Sequence, residues 1–227
     1  MLMPYAEGTN TPLYERMVKM AERPVFAYKD GMVNAYTTTF EWYSGFAISQ
    51  QQKCIRSLHK NAKMQYGFES ILEISSKSES AFGVKLSAFN LKLNNFSVEC
   101  IFQSSKKFAD GGPYSDILFM TSKNAKQDPR LRNSGKLVSF EHNGMSWGLK
   151  PTTAFYDYIY LKALIENRLL EAVRGYDAYT DIAFNPKKSL NCQARSCSIS
   201  HSDELVESVA AGDIDRYLKL HRSVVRS

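Results

Sequence analysis

The segment Ser97-Val98-Glu99-Cys100-Ile101-Phe102-Gln103-Ser104-Ser105-Lys106 carries the most usable chemistry in the chain. Val98, Ile101, Phe102 and Phe108 follow the three-and-four spacing of a buried helical face, which predicts a helix from Ser97 to Ala109. Glu99, Gln103 and Lys106 then project together from another face, joining a carboxylate, an amide and an ammonium group. With Ser97 as N-cap, Glu99 falls in the first turn, where the macrodipole favours its ionised form. A carboxylate held ionised beside an amide and a cation suits stabilisation of positive charge developing on a sugar ring. The same spacing also describes an ordinary solvent-facing helix with a stabilising acid at its start. The residues alone leave both readings open.

Around this segment the chain has the material for one domain. It has 227 residues, with 29 Lys and Arg against 23 Asp and Glu, for a net charge of +6. A hydrophobic content of 44% with 12% aromatics supports a core and excludes global disorder. No uncharged apolar run reaches the roughly 18 residues of a membrane span. The N-terminus lacks a secretory leader pattern, so a soluble, cytoplasmic protein without a membrane partner is expected. Cys54, Cys100, Cys192 and Cys197 form no C-x-x-C pair and are too few for a disulfide scaffold. His59, His142, His201 and His221 fall in no metal-ligand spacing. Neither a metal nor a cofactor is therefore expected. P-loop, dinucleotide and nucleophile-elbow fingerprints are missing, and Asp110-Gly111-Gly112-Pro113-Tyr114 reads as a turn.

The positioning elements follow from local pattern. Residues 1–22 read as a flexible N-terminal arm, with Met20 as an alternative start. Pro24–Tyr28 and Tyr36–Tyr43 flank Asp30-Gly31 as a hairpin. Ser49–Lys63 is an amphipathic helix, and Ile71–Ile74 is a short strand leading into a Ser-rich loop with Lys77. Lys123–Ser134 reads as a helix broken at Pro129, and Thr152–Val173 as the longest helix, stopped by Gly175. A last helix begins at Glu204 and packs on the rest as a segment spanning 201–227. The class is α+β, mainly helical with a small β-sheet, and the main domain runs over 23–200. Positive charge is uneven. Lys123, Lys126, Arg130, Arg132, Lys136 and Lys150 face only Asp128 and Glu141 in their stretch, and Ile182–Ser202 holds Lys187, Lys188 and Arg195 with no acid. Such stretches are either solvated faces or surfaces that meet phosphates.

Val98-Glu99, Phe102-Gln103 and Lys106 resemble the signature helix of the NADAR family, whose pattern is roughly V-E-H-x-F-Q-x-x-K. Leu86-Ser87-Ala88-Phe89 is similar to that family's L-S-N-F segment, with Ala88 in place of Asn. Trp147 matches the family tryptophan, Thr180-Asp181 its later acidic loop, and Asn191–Ser196 its arginine-containing segment. Within the family, the stretches 40–46, 71–77, 111–114 and 180–188 look like NADAR antitoxins paired with DarT-type DNA ADP-ribosyltransferase toxins. The resemblance runs from about Arg23 to about Ser198.

The resemblance implies a single NADAR domain and an ADP-ribosyl-glycohydrolase acting on ADP-ribosylated guanine in DNA. ADP-ribose would be its product and a DNA ADP-ribosyltransferase toxin its functional partner. Glu99 is implied as the carboxylate that stabilises the sugar cation or positions water, and Asp181 as its proton-transfer partner. Lys77, and after it Lys106, would attack a ring-opened sugar as a Schiff-base nucleophile. Trp147 and Tyr114 would stack on a base, Gln103, Ser87 and Asn90 would contact the substrate, and Arg130, Lys187 and Arg195 would meet phosphates. Two other readings compete: an N-glycosidase on phosphorylated riboflavin-pathway intermediates, and a non-catalytic DNA- or toxin-binding protein.

Overall fold

A computed structural model describes residues 19–187 and 189–225. The chain opens with a hairpin, β1 (Met20–Lys29) and β2 (Met32–Glu41). Its two-residue turn holds Asp30 at φ 54° and Gly31 at φ 76°, the left-handed pair that matches strand twist. Met20, Ala21 and Glu22 pair with Glu41, Phe40 and Thr39. The strand thus starts inside the stretch read as an arm, because β2 is long enough to pair with it. Residues 1–18 of that arm lie outside the described residues.

α1 (Ile48–Tyr66) lies across the hairpin, and Cys54, Ile55, Leu58 and Ala62 pack on Val25, Ala27 and Phe40. Each large side chain so buried contributes about 1.5–3 kcal/mol. β3 (Ile71–Glu73) follows, and β9 (Ala178–Thr180) inserts between it and the hairpin to give the order β2-β1-β9-β3. β9 runs antiparallel to β1 but parallel to β3, with Glu73 opposite Thr180. That single parallel junction brings the ends of two distant segments side by side.

Between these strands run α2 (Ala81–Leu86), the short pair β4 (Lys92–Leu93) and β5 (Phe96–Ser97), and α3 (Val98–Ser104). The helix expected to reach Ala109 stops at Ser104. Ser104 and Ser105 turn their hydroxyls back onto the Ile101 carbonyl at 3.0 and 2.7 Å, and the chain leaves as β6 (Lys106–Phe108). After α4 (Ser122–Gln127) and α5 (Arg130–Asn133), broken at Pro129 as expected, β7 (Leu137–His142) pairs with β6 and with β8 (Met145–Trp147). This second sheet is not foreseen in the sequence pattern.

α6 (Ala154–Glu166) is buried on nearly every side from Ala154 to Leu164 and forms the centre of the main core. The single helix expected over 152–173 is two. Arg168 takes φ 54°, breaking α6 from α7 (Leu170–Arg174), so α1 is longer than either. α8 (Gln193–Ile199) packs on α6, followed by α9 (Asp203–Ala211) and α10 (Ile214–Val224). The last helix expected from sequence is likewise divided, at Gly212 with φ 70° and the N-cap Asp213, whose carboxylate accepts from Arg216 N at 3.0 Å. Leu205, Val209, Tyr217 and Val224 belong to the main core. Among the described residues no helix is long and apolar enough to cross a membrane.

Candidate active site

Ser97 caps α3, its Oγ accepting from Cys100 N at 3.1 Å. The helix it starts is not solvent-facing. Every residue from Val98 to Ser104 is buried, including Glu99 and Gln103 at 6% exposure each. Gln103 Nε2 donates to Glu99 Oε1 at 2.8 Å, and Gln103 Oε1 is buried with no partner among the described residues. A carboxylate buried with one side-chain donor is costly to keep for structure alone.

Lys106 leaves the helix face on which the sequence placed it and comes back by another route. From β6 its Nζ stands 4.7 Å from the centroid of the Phe102 ring. Burial pushes its amine down to about 8, with the Lys126 charge acting the same way and Glu99 opposing it. The carboxylate and the amine therefore still share one site. Lys126, on α4, lies over the Phe89 ring at 5.4 Å and completes a cationic edge.

The second acid group sits where β3 and β9 end in parallel, the end of a parallel pair at which ligands commonly bind. Glu73 accepts from Thr180 Oγ1 at 2.6 Å and from Ile182 N at 2.9 Å. Asp181 accepts from Ala183 N at 3.0 Å and from Gln193 Nε2 at 3.0 Å. Burial, and then the neighbouring Glu73 charge, push Asp181 up to about 7, and burial also raises Glu73. Asp181 nevertheless keeps part of its surface open.

One chain of hydrogen bonds joins the two acid groups. Glu99 N donates to Ala88 O at 2.9 Å, Ala88 N donates to Gln193 Oε1 at 2.7 Å, and Gln193 Nε2 reaches both Asp181 and the Ile74 carbonyl. The residue that replaces the signature Asn contributes through its peptide, not its side chain. Tyr156 of α6 feels both acids: burial, then Glu99, Cys192 and Asp181, raise its hydroxyl well above the ordinary tyrosine value.

Other expected site residues are distributed unevenly. Ser87 Oγ and Trp147 Nε1 are buried and unpartnered among the described residues. Trp147 packs on Tyr158 at 4.7 Å and on Phe155 at 5.4 Å. Lys77 donates to Ser76 Oγ at 2.9 Å on the loop after β3, two residues beyond Ser75. Asn90 is exposed and donates to the Val84 carbonyl at 2.9 Å, which holds a turn. Arg130 is clamped by Asp128 and Asp116 at 2.8 and 2.6 Å and covers the Tyr114 ring at 4.5 Å, so its charge is already answered. Tyr114 itself bonds Ser134 through its hydroxyl. Lys187 and Arg195 line a cavity of about 810 Å³ with Arg23, Phe26, Phe184 and Leu190. Arg195 also reaches Asp157, 3.4 Å away inside the core.

Sequence reasoning missed Glu73, Gln193 and Tyr156 as site residues and placed Lys126 only as one cation of a basic stretch. An acid inside the apolar run Ile71-Leu72-Glu73-Ile74 is the one signal that marks Glu73 in advance.

The model of the DarT1-associated NADAR antitoxin family matches residues 21–224. The chain belongs to the DarT1-associated NADAR antitoxin family. The match extends the resemblance at both ends and takes in α9 and α10 as parts of the NADAR fold. Membership makes the chain an antitoxin of the DarT1 system, and NADAR proteins are in general N-glycosidase-like hydrolases. Comparison with curated proteins finds no match. Among the described residues no group of three His, Cys, Asp or Glu side chains is arranged to hold a metal ion.

Proposed function

We propose that this NADAR antitoxin is an ADP-ribosyl-glycohydrolase that removes ADP-ribose from guanine bases in DNA, reversing the modification made by its paired toxin. The observation that supports this reading most is the tethering of Glu99 and Asp181 to each other through Ala88 and Gln193. Breaking the bond from the ribose carbon to the guanine amino group puts positive charge on the sugar. The Glu99 carboxylate answers that charge. Asp181, held at about 7, is substantially protonated at neutral pH and donates its proton to the departing guanine nitrogen. Water then bonds to the sugar carbon and gives its proton to Glu99.

A lysine offers a covalent form of the same cleavage. Its neutral amine adds to the carbon of the ring-opened sugar, and the bond from that carbon to the guanine nitrogen breaks. The departing guanine amine takes up the proton the lysine nitrogen loses, leaving a Schiff base that water later hydrolyses to free the sugar and the lysine. Lys106, with its amine held at about 8 beside Glu99, fits this role better than Lys77, which the sequence favoured. Lys187 and Lys126 supply charge for phosphates at the edges of the site, while Arg195, at the wall of the same cavity as Lys187, has its charge shared with Asp157.

The test is release of ADP-ribose from a DNA oligonucleotide carrying ADP-ribosylated guanine. Glu99→Ala and Asp181→Ala are each expected to slow release by about 10²–10⁴-fold. Binding without release by the wild type overturns the enzyme reading, and release only from phosphorylated aminopyrimidines reassigns the substrate. Borohydride added during turnover should trap an adduct that peptide mapping places on Lys106. An adduct on Lys77 reverses that assignment.

A further inference from the structure

His59 stands on α1, which carries none of the acid-cluster residues, yet its Nε2 is 2.8 Å from Thr180 Oγ1. Thr180 Oγ1 is in turn 2.6 Å from Glu73 Oε2. The three groups form a line from outside to inside: His59 is partly exposed, Thr180 is 0% exposed and Glu73 2%. A hydroxyl has one proton to give. Thr180 gives it to the Glu73 carboxylate, so its oxygen accepts from His59, which fixes the ring as the Nε2–H tautomer. Nδ1 is then the basic nitrogen. Among the described residues it has no hydrogen-bond partner, and it is not sealed from solvent.

We propose that His59, Thr180 and Glu73 form a proton wire between solvent and the Glu73–Asp181 carboxyl pair. The inference rests on the proposed glycohydrolase reading, in which Asp181 loses a proton to the leaving guanine in every turnover. One proton enters at His59 Nδ1. The Nε2 proton passes to Thr180 Oγ1, and the Thr180 proton passes to Glu73 Oε2. One proton has entered and one has arrived, with no other reactant. A neutral Glu73 no longer holds the Asp181 proton in place by its charge, so Asp181 releases it more readily at the moment the leaving group needs it. The pair thus goes from one proton to two and, once Asp181 has donated, back to one. That one moves from Glu73 to Asp181 while the His59 ring and the Thr180 hydroxyl turn back to their starting orientation. The proton that water leaves on Glu99 returns to solvent.

The surroundings fit conduction. Burial, with help from Lys63 on the same helix, holds the His59 ring down to about 4, so at neutral pH it passes a proton on instead of storing it. The carboxyl pair is faced by Arg23 of β1 and Lys126 of α4, and by Tyr156 of α6 and Cys192 just before α8. Within this set the wire alone links the pair by hydrogen bonds to a partly exposed imidazole.

The experiment is the pH profile of ADP-ribose release from the same oligonucleotide, for the full chain and its variants. His59→Gln retains a donor to Thr180 but has no second nitrogen to take up a proton. Its kcat is expected to fall about tenfold or more at pH 8 and less at pH 6, with KM near that of the wild type. Thr180→Val should lose as much and Thr180→Ser should recover it. Added imidazole should restore His59→Ala. Wild-type kcat from pH 6 to pH 9 in His59→Gln and Thr180→Val overturns the wire while leaving the glycohydrolase reading intact. No release by the wild type overturns that reading, and the wire with it.

Discussion

Replacing Asp157 with Asn tests how the core supports the site. Asp157 is fully buried on α6 and accepts from Ser196 Oγ at 2.6 Å, Thr153 Oγ1 at 2.8 Å and His221 Nε2 at 2.9 Å. Arg195 adds its charge from 3.4 Å. Burial alone would raise this carboxyl, but Arg195 and the His221 and Ser196 hydrogen bonds outweigh it and bring the group from 3.8 down to about 2. A depression of nearly two units is equivalent to about 2–3 kcal/mol of stability. Because the folded-state value is the lower one, this stability is fully present above pH 3.8 and is lost as pH falls through about 2. Asp157→Asn keeps the shape and removes the charge. At pH 7 it should cost about 2–3 kcal/mol, a fall in Tm of about 5–10 °C for a domain of this size. Urea unfolding of both proteins at pH 7, 4 and 2.5 measures the gap. It should be widest at pH 7 and narrow sharply at pH 2.5. Equal stability at pH 7, or a gap indifferent to pH, would refute the argument that charge at this node holds α6, α8 and α10 together.

Asp181→Asn should trade function for stability. The raised carboxyl costs stability increasingly above pH 3.8, as pH climbs toward its folded value of about 7, so the Asn variant should melt higher than wild type at pH 8 while its release activity collapses. Glu73→Gln removes the charge that helps hold the Asp181 proton. The alkaline limb of the rate profile, near pH 7 in the wild type, should therefore move to lower pH in that variant. Lys106→Met removes an amine that burial disfavours in its charged form, so thermal melting at pH 7 should show a fold at least as stable as wild type even though no adduct can be trapped.

The parts of the site legible in the sequence were the local ones. The Ser97 cap, the Glu99–Gln103 spacing and the break at Pro129 depend on neighbours within a turn or two, and the structure keeps all of them. Lys106 shows where that stops. Its exit from the helix depends on pairing with Phe140, more than thirty residues later, and no periodicity in 97–109 reports a partner so distant. α6 escaped for a different reason: a helix buried on nearly every side shows no polar face, so Glu166-Asn167-Arg168, followed at once by Leu169-Leu170, reads as one polar turn of a continuing helix and not as its stop. The pairing of Glu73 with Asp181, and of His59 with Thr180 across 121 positions, exists only because β9 enters the sheet between β1 and β3. Topology of that kind leaves no trace in spacing.

The hydrogen bond from His221 to Asp157 also has a consequence in time. Glu99 is translated long before Asp181, Gln193 and finally His221, and the core around α6 closes only when α10 is present. A chain still being synthesised therefore holds Glu73 and Glu99 before it has Asp181, and Asp157 lacks its bond to His221 until α10 is made. The fold that protects against the paired toxin is therefore expected only once α10 has been made and docked, because contacts so distant in sequence close late.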